Sequence, residues 1–431
     1  MKKSCLAVVC LLFFATQIYA LPRFALLRGE GNCLGCHVNP TGGGLRTEGG
    51  ESFSINDLPM WKRGGKFSGQ ISDAIRIGGD FSSQFLIFSQ TSPRYSFSDS
   101  LNSNQPKRHD TTTKVSAFNA MNLSFEMAIK ATNTLHGYLR YDALGAVPAE
   151  GWAMLHVVHS SGEIIQAGDV VNNAYIKFGA FLPVFGIRFD DHTVYVKGGS
   201  ASLSGFKHAG FFWSPGYRDI GVEIGTLLFD HIGIEAGIFN GSESHPSSNF
   251  GTDPLNNKAF CFRITSSGEL IENMLAGEIG FSSYIHNHTN DNGAPANMTL
   301  TGLHCSLRAG PVTILGEYDF GHNVIISGAR TVAKSANALC LEGAVRIVKG
   351  LDIILRYETF SDKIDPGDGT IITGTEVKGR YSFGAQWFPL RFLEIRPEYR
   401  IAKPTAPNAF DTTITDNFTE NTFLILTHVF F

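Results

Sequence analysis

The fold this sequence predicts is all-β, a transmembrane antiparallel β-barrel of about 16 strands. Three observations predict it. From about residue 70 onward, apolar and polar residues alternate with period two. The connections between alternating runs sort into tight turns and long polar loops, and the chain ends on an apolar strand finishing in phenylalanine.

The alternation is clearest in three segments. In Ile220–Leu228, one face carries Ile220, Val222, Ile224, Thr226 and Leu228, and the other carries Gly221, Glu223 and Gly225. In 351–359, Leu351, Ile353, Leu355, Tyr357 and Thr359 oppose Asp352, Ile354, Arg356 and Glu358. In 393–401, Leu393, Ile395, Pro397, Tyr399 and Ile401 oppose Glu394, Arg396, Glu398 and Arg400. Side chains alternate this way on strands, not helices. Charges behind an aromatic and aliphatic face suit a wet lumen inside a lipid-facing wall. Composition agrees: Phe is 34 and Gly 47 of 431 residues, while charged residues are only 17%. Beyond the leader, no run approaches the ~18 apolar residues of a membrane helix. A net charge of −4 with no basic run gives no reason to expect nucleic acid.

Tight connections are expected at Phe229-Asp230-His231, Ala309-Gly310-Pro311, Val348-Lys349-Gly350 and Phe388-Pro389-Leu390. Long ones are expected near 91–113, 182–216, 241–256, 285–296, 321–335, 361–377 and 402–418. For most of the chain the two classes alternate, as short periplasmic turns and long outer loops do. Both termini then lie in the periplasm. The last strand places Phe423, Ile425, Val429 and Phe431 on one face, with His428 read as a structural residue on that apolar side. A terminal strand ending in Phe resembles the signal read by the outer-membrane assembly machinery.

The N-terminus reads as a secretory signal. Lys2 and Lys3 precede the apolar run Cys5–Phe14, and Ala20 offers a small residue for cleavage. Removing residues 1–20 leaves a segment 21–66 ahead of a barrel 67–431.

That segment carries the chemistry. Cys33, Cys36 and His37 form Cys-x-x-Cys-His, the attachment motif of one covalent c-type haem. The spacing lets both thiols close thioethers on the porphyrin vinyl groups and sets His37 beneath the iron as proximal ligand. A zinc site would need a second ligand pair nearby, and a redox disulfide would want a βαβ setting. The other cysteines beyond the leader, Cys261, Cys305 and Cys340, are scattered and read as small strand residues. Pro40 stops any helix, and Gly42, Gly43 and Gly44 let backbone pass close to a flat ligand. Arg46 is the candidate partner for a haem propionate. For the distal position, Met60 or His136 are the candidates; His304, His159 and His231 are further histidines of the lumen or its turns. Segment 21–66 is too small to shelter a haem alone, so the barrel is expected to complete the pocket.

Residues 32–46 resemble the short haem segments of outer-membrane cytochrome–porin fusions. Ala174–Val196, with its Pro/Phe/Gly turn, resembles the strand-and-loop signature of general and phosphate-type porins. The stretch Gly198–Gly205 is expected either to fold into the lumen as a constriction or to lie on the surface. The resemblance implies electron transfer between a periplasmic c-type cytochrome and an extracellular donor, such as ferrous iron, or an extracellular acceptor. Two alternatives are a transport barrel with a redox-sensing haem and a sheath for a separate multihaem cytochrome. Lumenal carboxylates such as Glu223, Glu235, Glu278 and Glu317 offer weaker cation sites, and no hydrolase or phosphate-loop motif occurs.

Overall fold

Each alternating run forms a strand because its two faces meet different solvents. The computed structural model describes residues 23–28, 33, 36–40, 42, 44–61, 69–96, 107–144, 147–158, 171–189, 191, 193–199, 210–213, 217–229, 231–241, 257–271, 274–289, 295–325, 332–365, 371–407 and 415–431. The leader reading for residues 1–20 lies outside these. The strands are β1 (Ile75–Ser96), β2 (Lys107–Lys130), β3 (Leu135–Asp142), β4 (Val147–Val158), β5 (Val171–Phe181) and β6 (Asp219–Leu228). They continue as β7 (Ile232–Phe239), β8 (Ala259–Ile271), β9 (Leu275–Thr289), β10 (Pro295–Ala309), β11 (Val312–Ile325) and β12 (Val332–Val348). The last are β13 (Leu351–Ile364), β14 (Ile372–Leu390), β15 (Leu393–Pro407), β16 (Thr415–Asn417) and β17 (Thr419–Phe430).

Neighbours in sequence pair antiparallel around the wall, and β1 closes on β17 from Asp80↔Phe430 to Thr91↔Thr419. Strand β16 and strand β17 both pair with β15 and are parted only at Phe418, so seventeen strands fill sixteen positions. Closure leaves no open strand edge, the condition for a sheet in lipid. Burial runs inside out. Val222, Ile224 and Leu355 are exposed, Leu355 by 59%, while Glu223 and Glu358 are fully buried. An apolar outside around a charged inside is the membrane-barrel arrangement.

Four details differ from the sequence expectation. Strands run past the apolar band, so the loop expected over 91–113 shrinks to 97–106, and that over 361–377 shrinks to 365–371. Polar residues such as Arg108 and Asp110 still complete backbone ladders above the lipid. Strict alternation of connection length fails where only four residues separate β3 from β4 and twelve separate β4 from β5. His159 lies outside the described residues. Phe388, Pro389 and Leu390 stay within β14, and the turn falls one step later at Arg391 and Phe392. His428 is on the inner face, not the apolar one, because Leu424 and its even-numbered neighbours point inward. Its ring bridges Asp80 at 3.0 Å and Glu394 at 3.1 Å across the closing seam.

Two segments fill the lumen. From the periplasmic end, the described residues between 23 and 61 lie inside as α1 (Arg23–Arg28), a small hairpin and α2 (Glu48–Asn56). Thr47 caps α2 by accepting from Gly50 N at 3.3 Å, and Glu48 and Glu51 sit in its first turn. Phe53 and Leu58 bury against Phe388, with Phe24 and Phe430 beside them. From the other side, the β5–β6 connection turns inward and buries Val184, Phe185, Ile187, Tyr195, Phe211 and Trp213. The residues Val194–Val196 before the Gly/Ser stretch are thus lumenal; residues 200–209 lie outside the described set.

Candidate cofactor site in the lumen

The attachment residues sit on one tight turn. The backbone N–H of Cys36 donates to Cys33 O at 3.1 Å, and that of His37 to the same oxygen at 2.7 Å. The chain then doubles back. His37 bridges Arg46, Val38 N donates to Leu45 O at 2.9 Å, and Thr47 N to Cys36 O at 3.0 Å. The reversal uses Pro40 and Gly42, with Gly42 N donating to Asn39 O at 2.9 Å. Gly42 has φ +89° and Gly44 +70°, values an L side chain adopts only under strain. Space demands glycine as well. A Cβ on Gly42 would lie 2.9 Å from Cys33 Sγ, and one on Gly50 2.1 Å from Cys36 O.

His37 Nδ1 lies 3.1 Å from Gly44 O and donates to it, which leaves Nε2 as the lone-pair nitrogen. Metal-bound histidines are fixed in this way by a carbonyl at the far nitrogen. Burial, and then the Arg46 charge, push the His37 imidazole down to about 4, so the ring is neutral at neutral pH. Burial pushes the Cys33 thiol up to about 12. Two thiols on one turn and a neutral imidazole with an oriented nitrogen fit a c-type haem.

The barrel wall and the inserted loop enclose this turn. Asn39 accepts from Lys177 Nζ of β5 at 3.4 Å, and Leu45 joins the lumenal core with Tyr138. A Cβ on Gly44 would meet the Tyr138 hydroxyl at 2.4 Å, so that phenol covers the hairpin. Leu26 packs on Ile187 of the loop and Leu315 of β11. Arg188 of the loop reaches the hairpin too, its Cδ 3.7 Å from the Gly42 Cβ position.

The expected ligands separate in space. His136 projects inward two residues before Tyr138 on the same face of β3, and its ring meets that of His156 of β4 at 4.9 Å. Met60 sits at the periplasmic rim, its N–H donating to Phe388 O at 2.8 Å beside Gly350. Arg46 stacks over the Phe430 ring at 4.5 Å. His304 lies 3.5 Å from Glu278. Glu223 pairs with Lys177, Glu235 with Arg263 and Glu317 with Lys197, so these carboxylates are already compensated. Among the described residues no group of three or more His, Cys, Asp or Glu is placed to hold a metal ion. Sequence reasoning missed His156 and Arg188. Inward parity on β4 would have flagged the first; nothing periodic marks the second.

The fold is a closed antiparallel β-barrel of sixteen strand positions. Solved structures to which the chain is similar include the outer-membrane protein OmpT of Vibrio cholerae, at 12% identity and TM-score 0.46, covering 84% of this chain and 99% of that one. The outer-membrane channel DcaP of Acinetobacter baumannii matches at 11% identity and TM-score 0.48, covering 85% and 100%. The anion-selective porin from Comamonas acidovorans matches at 9% and 0.47, covering 83% and 99%. No protein-family model and no curated protein sequence matches the chain.

Proposed function

We propose that this chain is an outer-membrane electron-transfer protein whose lumen holds one covalent haem c. The observation that carries the reading is the Cys33–His37 turn, folded inside the barrel with the far nitrogen of His37 already engaged by Gly44 O at 3.1 Å. Cys33 and Cys36 would hold the ring through thioethers and His37 the iron from the proximal side. For the distal position we favour His136, steadied by His156, over Met60. The histidine pair, at the periplasmic end of β3 and β4, shares the inner face with Tyr138, which covers the hairpin, whereas Met60 has its backbone tied to Phe388.

Haem bound there supplies a one-electron ferrous–ferric couple. The protein's part is position and exclusion of water. Tyr138 stacked on Trp152 at 5.1 Å walls one side, and the inserted loop covers the outer side. An apolar band about 25 Å tall separates the two compartments. Carrying the attachment turn inside the lumen shortens the gap for a periplasmic c-type cytochrome at one mouth and an extracellular donor or acceptor at the other.

The test is a pyridine haemochrome spectrum of the purified full-length protein. One covalent haem per chain is expected, and none after Cys33→Ala with Cys36→Ala; an unpigmented wild type would refute the reading. His136→Ala should convert a low-spin spectrum to high-spin while Met60→Ala leaves it unchanged, and the reverse reassigns the ligand. Intact cells reduced with dithionite should reoxidise on adding an extracellular ferric chelate. Failure to do so, with rapid sugar uptake in liposomes, would favour a transport barrel with a redox-sensing haem. Co-purification with a larger multihaem cytochrome would favour a sheath.

A further inference from the structure

The strongest unassigned feature is a cation at the meeting point of loop and hairpin. Arg188 is partly buried, and among the described residues no carboxylate pairs with it. Its setting makes that unusual. Arg23, Arg140, Arg218, Arg263, Arg356 and Arg380 each have a carboxylate within 4 Å. Arg188 keeps part of its surface in water, so its charge stands without a carboxylate and is open to an arriving anion. Glu150, whose field Arg188 shares, is already held by Arg218 at 3.3 Å.

The place of Arg188 says which anion could reach it. Its side chain and Cys33 Sγ flank the same glycine, at 3.7 Å and 2.9 Å from the Gly42 Cβ position. The charge of Arg188 acts on both Cys33 and His37. An anion brought in by whatever attaches at Cys33 would arrive beside the guanidinium. Haem carries two propionates, and a guanidinium fork matches a carboxylate in two parallel hydrogen bonds. Arg46, the candidate from sequence, has its guanidinium over Phe430 instead.

Resting on the haem reading above, we propose that Arg188 is the propionate-binding residue, so that the inserted loop and not the haem segment supplies the counter-charge. Arg188 then acts as a positioning residue with two effects. It favours the ferrous form by adding positive charge near the iron, and it ties the loop to the hairpin once the cofactor is in place.

The experiment is a redox titration of the purified full-length protein against Arg188→Gln, Arg188→Lys and Arg46→Gln, with covalent haem counted in each. The expected result for Arg188→Gln is at least a threefold rise in the ferric-to-ferrous ratio at fixed potential, roughly 30 mV for a one-electron couple. Arg188→Lys should recover most of it, and Arg46→Gln should move it less. In Arg188→Gln the loop should also become more protease-sensitive in the haem-loaded protein, but not in the cofactor-free double cysteine variant. Equal potentials in wild type and Arg188→Gln, or a larger shift from Arg46→Gln, would overturn the proposal while leaving the haem reading intact. A wild type without covalent haem would overturn both. Heat-modifiable mobility on a gel confirms in each case that the barrel has folded, and Arg188→Lys carries the test if the Gln variant does not.

Discussion

Gly42 has no substitute at its position. Its φ of +89° costs an L-residue about 1–2 kcal/mol, and a methyl there would press on the Cys33 sulfur at 2.9 Å. Gly42→Ala should therefore lower covalent haem per chain several-fold with the barrel still folded, read by haemochrome against protein concentration. Gly50→Ala, whose Cβ would overlap Cys36 O, should do the same. The motif spacing made Cys33, Cys36 and His37 legible, and the glycines after them hinted at close approach. The second ring of residues was not legible. Arg188 is one arginine among many in a stretch with no period, and only the folded chain brings it from position 188 to position 42. Periodicity could place His136 on the inner face but not reveal that His156 would meet it edge to face.

At the scale of elements, the inserted loop is held by ion pairs at one end and apolar contact at the other. Asp191 takes Arg356 at 2.8 Å, Arg400 at 2.9 Å and Arg396 at 3.7 Å. These guanidinium groups hold its carboxyl well below the usual 3.8. A depressed carboxylate contributes stability that is complete above its unfolded value and is lost only as pH falls through the folded one. Loop docking should therefore be unchanged between pH 7 and pH 4, seen as flat single-channel conductance in a planar bilayer. Asp191→Asn removes the loop's own carboxylate from arginines that keep Glu342 and Glu398, at a cost of about 1.5–3 kcal/mol to docking. It should raise conductance across that whole range. The N-terminal insertion is held differently, by Phe53 and Leu58 under Phe388. Phe53→Ala should weaken its docking by about 3 kcal/mol and speed proteolysis of residues 23–61. Both insertions were legible only in outline: the barrel was expected to complete the pocket of 21–66, and 198–205 to turn into the lumen or lie on the surface. A strand has two faces and a period, whereas the loop touches wall, core and hairpin in turn, which scatters Val184, Ile187 and Tyr195 without rhythm.

At the scale of the molecule, the wall follows from local alternation and the seam from the last strand. The segments 220–228, 351–359 and 393–401 turned the faces the sequence indicated, because each residue's neighbour across the ladder shares its solvent. Loop lengths were overestimated because polarity marks the edge of lipid rather than the end of pairing. Closure from β1 to β17 uses only strand backbone. The double cysteine variant should thus still form a heat-modifiable barrel, with loss of colour and no loss of fold. If that variant failed to fold, the cofactor would be a structural pin.

The depth of Cys33 has a bearing on chronology. Thioether chemistry proceeds through a thiolate, and a sulfhydryl held up at about 12 inside the finished cylinder offers almost none. On the haem reading, a porphyrin for this seat would be stitched on more readily while the chain is still a periplasmic thread, before the sheet rolls shut around it.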